Sequence, residues 1–438
     1  MKVGIDQAVL VNLLERGAMA ALSDEAQGDT SNFAVLVKSV KITVNGDFIV
    51  ESATNLIATK AQVPATEENG ITVKEKGSVL VAAKELYNWV LKQNKAKIVL
   101  SLSLFATPKI ISTAEDIEEA DSTQYSVTQI GELNLASRDD TKTGNKWKLD
   151  GYDPDQISVV DFDEKHETLF HVPTTQLTDA LNGTLFSSQT KDYQHIYDSV
   201  NIEKYNGHLY MAATDTHRCS IYKMDKAESI NDDFFTESTS TKNGGKFELG
   251  SKVLIPCAYL KLISKYADES QFLNFYYDKD KNKVYVHQKG WDIRLATVDS
   301  NLFQKFPTIY MLLEKKYSKL GYIPKGVLAN RLTSASLVNK STVLFDFSKD
   351  SVIIHAISEG GHAPNVSNAP VRNLTMDVKA IWGVQHVMDV IKVVKDADLC
   401  VMVPDDLRSM KVTSEEDQNL SYYAMTIDNV KYASLMND

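Results

Sequence analysis

Asp215, His217 and Arg218 fall within four consecutive positions of the stretch HLYMAATDTHRCSIYKM, residues 208–224. A carboxylate and an imidazole two positions apart share a face when the backbone is extended, which is the placement that two metal ligands or a general acid and base require. A metal-dependent hydrolase built on Asp215 and His217 is the first chemistry to weigh. Nothing at motif spacing completes it: the chain has no HExxH, no CxxC pair, no P-loop and no GxSxG, and the GGHAP of residues 360–364 stands alone. The alternating apolar runs on both sides read instead as a hairpin with Ala-Thr-Asp at its turn. An aspartate there accepts from a backbone N–H two residues on, and Arg218 is placed to pair with its carboxylate.

The elements that carry this hairpin repeat along the chain. Six segments run a short strand into an apolar helix: residues 3–17, 79–93, 170–184, 253–267, 321–335 and 376–390. In three of them a proline (Pro173, Pro256, Pro324) is expected at the first helical position, where its missing N–H costs nothing. Apolar residues then recur every three or four positions, as at Leu260, Ile263 and Ala267, so one face of each helix must pack on sheet. Residues 48–63 repeat the hairpin layout of 209–224 with Ala-Thr-Asn at the turn, and residues 352–364 form a weaker third copy with glycines there. The first copy holds Asn55, Leu56 and Ile57 where the second holds Asp215, Thr216 and His217, so the turn is shared and the reactive groups are not. That weighs against catalysis. The expected organisation is three units of helix, hairpin, helix and further strands: 1–167, 168–317 and 318–438, an α+β fold.

Composition sets the bounds. With 438 residues, 43% of them hydrophobic, the chain can fill two to four cores. No uncharged apolar run approaches the ~20 residues that span a bilayer, and an acid, Asp6, occurs within the first fourteen residues, so neither membrane insertion nor secretion is expected. Cys219, Cys257 and Cys400 are scattered in apolar segments and read as reduced core thiols of a cytoplasmic protein. The net charge of −11 argues at first against a nucleic-acid partner. Much of the acid, however, lies in residues 113–124, 150–167, 225–237 and 413–418, and the remainder is near neutral or mildly basic. An acidic insert at about 109–145 is expected to be a solvated or partly disordered loop, with an interface role as the alternative.

The three-fold repeat with ATDTHR in its middle unit resembles the bacterial sliding clamp, the beta subunit of DNA polymerase III, whose middle domain carries an Ala-Thr-Asp-Gly-His-Arg hairpin. MKVGIDQAVLVNLL looks like the family's opening strand and helix, and VLVAAKELYNWVL like its second helix. LATVDSNLFQKFPTIYMLL looks like the segment leading into the third domain, and LSYYAMTI like the final strand. Thr216 stands where the family has glycine, Thr426 where it has proline, and residues 428–438 run past the family's usual end. These departures describe a divergent clamp of the kind a phage or other mobile element carries.

The resemblance implies a DNA-clamp fold: three domains, each of two helices on antiparallel sheets, forming half of a ring that a head-to-tail homodimer closes around double-stranded DNA. Lys84, Lys92, Lys261, Lys265, Lys325, Arg331, Lys340, Lys392 and Lys395, on or near the helices, would face the duplex without reading its sequence. A DNA polymerase and a clamp loader would dock short apolar peptides in a cleft between the second and third domains. Carried over by position, that cleft takes Ile196, Thr214, Thr216, His217, Arg218 and Cys219 from the middle domain, and Pro307, Met311 and Leu312 from the interdomain segment. Leu407, Ser409, Tyr423, Ala424, Met425, Thr426 and Ile427 come from the third. The extension 428–438 would lie across or beside it. Such a processivity factor needs no cofactor, no metal and no catalytic residue. The alternatives are a repeat scaffold without DNA or a viral structural protein, which the acidic surface suits, and, more remotely, the Asp215/His217 hydrolase.

Overall fold

In the computed structural model the six repeat helices are Gln7–Gly17, Ala83–Leu91, Thr174–Thr184, Cys257–Tyr266, Lys325–Ser336 and Val384–Val393, each starting directly after an antiparallel strand. The structure describes residues 1–31, 34–93, 97–113, 126–138, 144–157, 166–189, 196–236, 239–240, 247–248, 251–278, 283–297, 309–358, 364–427, 432 and 435–436. The prolines sit one position earlier than their sequence context suggests: Pro173 and Pro324 are N-caps, and Pro256 ends its strand. The reason is conformational. The N-cap residues of five of the helices, including Asp6, Ala82 and Gly383, hold φ between −57° and −67° with ψ between 114° and 136°. That φ is the one the pyrrolidine ring imposes, so proline fits the strand-to-helix corner itself.

Two compact units divide the chain: Met1–Leu169 with Lys265–Ala296, and Phe170–Ser264 with Thr297–Asp438. In the first, strand Trp291–Ala296 pairs with Ile57–Pro64, which pairs with Asp47–Ala53, then Ser39–Val44 and Gly77–Ala82. The first helix buries Leu10, Leu13 and Leu14, and the second buries Leu86 and Val90. Tyr87 Oη donates to Glu15 Oε1 at 2.9 Å and joins the two helices. The first helix ends where Gly17 touches the hairpin: a Cβ on Gly17 would lie 2.2 Å from the Val50 carbonyl oxygen. The Gly17 carbonyl accepts from buried Ser52 and Thr59, each at 2.8 Å, which satisfies a helix C-terminus that water cannot reach.

Where the acidic insert is described, residues 109–113 and 126–138 are strand and not the loop expected of them. Lys97–Thr113 pairs with Ser126–Arg138, which pairs with Lys146–Tyr152, and Val127, Leu133 and Leu135 are buried. Residues 114–125 and 139–143 lie outside the described residues.

In the second unit one antiparallel sheet runs in the strand order 252–256, 199–205, 208–214, 218–224, 420–425, 409–413, 398–403, 318–324. A separate four-stranded sheet, Asn365–Pro370, Ser351–Ala356, Thr342–Ser348 and Val378–Gly383, carries the fifth and sixth helices. Their shared core includes Leu328, Leu332, Val387, Val390 and Trp382. Tyr432, from the C-terminal extension, is fully buried against Leu344 and Ile381 and donates its hydroxyl to Thr342 O at 2.8 Å. The described part of the extension is therefore packed on the four-stranded sheet. Cys219, Cys257 and Cys400 are buried and unpaired, as expected of core thiols.

Candidate functional site

The hairpin turn at residues 214–218 is built from side-chain to backbone hydrogen bonds. Asp215 Oδ1 accepts from the N–H groups of His217 and Arg218, both at 3.0 Å, which makes the Asx-turn read from the sequence. Asp215 Oδ2 takes Arg218 Nε at 2.8 Å. Thr214 Oγ1 donates to Arg218 O and accepts from Thr216 N. In the first copy Thr54 does this work, accepting from Leu56 N and Ile57 N and donating to Ile57 O. Thr54 thus stands where Asp215 stands, accepting from the N–H groups two and three residues on, so the copies share the turn with a threonine hydroxyl in place of the carboxylate. Thr216 has φ +77°, left-handed backbone that glycine adopts freely and a β-branched residue resists.

Both Asp215 oxygens are committed to this turn, which leaves little of the carboxylate for a metal or a proton transfer. Among the described residues no group of three or more His, Cys, Asp or Glu is arranged to hold a metal ion. His217 is exposed, with its ring 6.3 Å from that of His386.

Arg218 reaches further than its turn. Its Nη1 donates to Asp389 Oδ2 on the sixth helix at 2.6 Å, and the guanidinium lies 6.0 Å from the Phe186 ring. Burial alone would lower its pKa, but the hydrogen bond it donates to Asp389 and the charge of Asp215 outweigh that and raise it. Asp389 is shifted down: burial opposes the shift, while Arg218, Lys392 and Gln385 hold the ionised form. This half-buried pair ties the hairpin to the sixth helix. Asp389 was not singled out from the sequence, since it lies 171 positions from Arg218 on a helix read only for its apolar face.

The strands Arg218–Met224 and Leu420–Met425 bring the two halves of the expected cleft into one sheet, with Arg218 opposite Ala424 and Cys219 opposite Tyr423. On the next strand Ser409 lies opposite Met425 and Lys411 opposite Tyr423. Strand alternation sorts the residues onto two faces. Cys219 and Tyr423 share one face with Ile196, Ala212, Leu254 and Ile309, and Leu312 and Tyr317 pack against them. Ser409 joins that face through its hydroxyl, 3.2 Å from Tyr317 Oη. Arg218 and Ala424 belong to the other face, with Tyr422 and Met410. Ile427 is not brought to the groove face; it packs near Tyr432. Thr426 is half-buried, and its N–H donates to Arg408 O at 3.0 Å. Pro307 lies outside the described residues.

The groove face is largely filled by its own side chains. Thr214, Cys219, Ser409 and Tyr423 are buried, whereas Met311 (60% exposed), Met425 (41%) and Leu407 (37%) remain at the surface with His217 and Thr216. One aromatic residue outside the expected set, Tyr317, helps to shape it. Tyr317 and Tyr423 lie 5.7 Å apart, and the Lys411 ammonium sits 5.7 and 5.5 Å from their ring centres. Burial lowers the Lys411 pKa. A lysine on a strand is ordinarily a solvated residue, so the sequence carried no signal for this stack.

Of the nine expected DNA-facing cations, Lys84, Lys92, Lys261, Lys265, Arg331, Lys340, Lys392 and Lys395 are exposed and Lys325 is half-buried. Lys392 pairs with Asp389 at 3.1 Å and Lys395 with Asp179 at 3.6 Å. Lys325 donates to Val394 O, Arg331 to Asn368 O, and Lys265 lies over the Tyr266 ring. Among the described residues Lys84, Lys92, Lys261 and Lys340 form no ion pair.

This combination of two-helix repeats and joined antiparallel sheets is the fold of the bacterial sliding clamps. The structure aligns with the DNA polymerase III subunit beta of Pseudomonas aeruginosa at a TM-score of 0.73, 14% identity, 98% coverage of this chain and 100% of the other. It aligns with the DNA polymerase sliding clamp of Bacillus subtilis at 0.73 and 18% identity, over 98% and 99%. In sequence, 128 residues are 31% identical to the beta sliding clamp of Halalkalibacterium halodurans, a match spanning 29% of this chain and 29% of that relative. No protein-family model matches the sequence. The fold expected from ATDTHR and the repeat is thereby established over nearly the whole chain.

Proposed function

We propose that the chain is a sliding clamp: a homodimer closed head to tail that encircles duplex DNA and tethers a DNA polymerase and other replication proteins, with no catalytic step of its own. The observation that carries this reading is the clamp fold over 98% of the chain, with exposed cations on or beside four of its six repeat helices in a protein of net charge −11. Three domains, 1–167, 168–317 and 318–438, follow from the repeat. Exposed apolar side chains on the first and third repeats, Leu104 (68%) and Leu337 (84%), suit the contact that closes a ring. The peptide groove is the face of Cys219, Leu312, Ser409 and Tyr423, entered past Met311, Leu407 and Met425. A clamp loader would open the ring, and the cytoplasm is the compartment where these partners work.

Topology is the property to test. The loaded protein should stay on nicked circular DNA for much longer than on linear DNA of the same length and salt, and blocking the linear ends should restore retention. Equal retention on circular and open linear DNA would refute encirclement.

A further inference from the structure

The first unit contains a half-open cleft of 710 Å³ where the first helix meets strand 57–64 and the turn at Lys289 and Gly290. Val9, Leu13, Val63 and Pro64 give it an apolar floor, and Arg16 and Lys289 stand at its rim. Gly290, at φ +74°, sits so close to the Gln62 carbonyl that a Cβ would lie 2.8 Å from the oxygen, which shapes one wall.

Arg16 is held but not neutralised. Its Nε donates to Tyr266 O at 3.0 Å, its guanidinium lies 5.5 Å from the Trp291 ring centre, and Trp291 Nε1 donates back to Arg16 O. Asp268 and Glu15 are near enough for their charges to act on Arg16, but neither pairs with it directly: Glu15 accepts from Tyr87, and Asp268 from Ser270 and Gln271. Among the described residues neither Arg16 nor Lys289 forms an ion pair, and Asp47 is the one acid among the lining residues. An arginine fixed through Nε and stacked on an aromatic ring presents its two Nη groups as a preset fork for a carboxylate.

The equivalent place in the second unit is built the opposite way. Ala61 pairs with Trp291 as Tyr222 pairs with Leu420, and Arg16, tenth in its helix, corresponds to Gly183, tenth in its own. There Leu420 and Tyr222 close to 3.1 and 3.3 Å of the point where a Gly183 Cβ would stand, and Asn12 and Pro64 are replaced by Asp179 and Asp225. The repeat architecture alone therefore produces neither the opening nor its positive rim.

We propose that this cleft binds a short peptide segment bearing an apolar side chain beside a carboxylate. The apolar group would cover the floor and the carboxylate would take the Arg16 fork and the Lys289 ammonium. A tract of nucleic-acid phosphates calls for a row of cations on open surface; two cations over a concave apolar floor suit the peptide better. The inference is independent of the sliding-clamp reading, because it uses only groups of the first unit.

Fluorescence anisotropy on the full chain, with a labelled hexapeptide of alternating leucine and glutamate, tests it. The peptide should bind, and binding should weaken by about tenfold or more when its glutamates become glutamines, or with Lys289→Glu or Arg16→Gln. Lys289 is exposed, so that variant carries the test even where Arg16→Gln disturbs folding. Met425→Ala, on the groove of the second unit, should leave binding at the wild-type level. Equal affinity for the glutamine peptide, or unchanged affinity in Lys289→Glu, would overturn the proposal. Loss in Met425→Ala would place the peptide at the groove, and displacement by a short duplex would reassign the cleft to nucleic acid.

Discussion

Thr216 holds a left-handed conformation at the tip of a turn whose other members are fully committed, so its strain is the most accessible residue-scale quantity in the hairpin. Thr216→Gly removes a cost of about 1–3 kcal/mol and adds the entropy of glycine, leaving a net stabilisation of about 0.5–1 kcal/mol, readable in urea unfolding. A decrease in stability would show that the Thr216 hydroxyl, 3.1 Å from His217 Nδ1, matters more than the strain. The Asp215–Arg218 turn was legible in the sequence because both ends of each bond lie within three residues. The Asp389 and Lys411 contacts were not, since they depend on which repeat helix and which strand fold over the hairpin. His386 is set the same way. Burial and the Arg218 charge lower its pKa below the ordinary 6.5, with His217 adding to the shift and Asp215 and Asp389 opposing it. The unfolded chain then takes up a proton more readily than the folded one. The stability contributed by neutral His386 is complete above pH 6.5 and is lost as pH falls through the lower folded value. Unfolding free energy should drop between pH 7.5 and 5.5, and drop less in His386→Asn. An identical drop in both proteins would refute this assignment. His171 and His355, also lowered by burial, leave a residual slope.

At the scale of elements, the strand-to-helix corners and the hairpins were readable because each is written in a few contiguous residues with clear periodicity. In the insert the acids dominate the composition and hide the strand pattern of residues 126–138, whose alternation buries Val127, Leu133 and Leu135; the acidic stretch 114–125 lies outside the described residues. The place of Tyr432 is hidden for a different reason: one aromatic in a short extension of mixed apolar and polar residues carries no period that names its partner sheet. Tyr432 nevertheless fills a core position, with its hydroxyl donating to Thr342 O and meeting Ile357 N at 3.3 Å. Tyr432→Ala should cost about 3–5 kcal/mol, as for other large aromatic truncations in cores. Tyr432→Phe should cost about 1–3 kcal/mol, because the Thr342 carbonyl loses a donor and the Ile357 N–H an acceptor. Denaturant titrations of the two variants separate the packing from the hydrogen bond. No change in Tyr432→Ala would mean that the extension does not stabilise the four-stranded sheet.

For the whole molecule, the net charge of −11 and the proposed grip on DNA are compatible only if the cations that meet phosphate are not already neutralised by the protein itself. The structure divides the nine expected cations in a way the sequence does not, because pairing partners such as Asp179 for Lys395 come from distant segments. Lys84, Lys92, Lys261 and Lys340 are exposed and carry no ion pair among the described residues, whereas Lys325, Arg331, Lys392 and Lys395 are engaged by carbonyls or carboxylates. On the sliding-clamp reading, changing the first four together to glutamine should shorten retention on circular DNA and flatten its dependence on log salt by about 3–4 units if each meets one phosphate. The same change at the engaged four should do less, since each there already spends part of its charge within the protein. Any single change should have a small effect, because exposed charges are screened over a Debye length of about 8–10 Å. Filter-binding and retention assays on the two quadruple variants across a salt series make the comparison. If the engaged set mattered as much as the free set, phosphate would be breaking those internal pairs, and the charges facing DNA could not be chosen from the free protein.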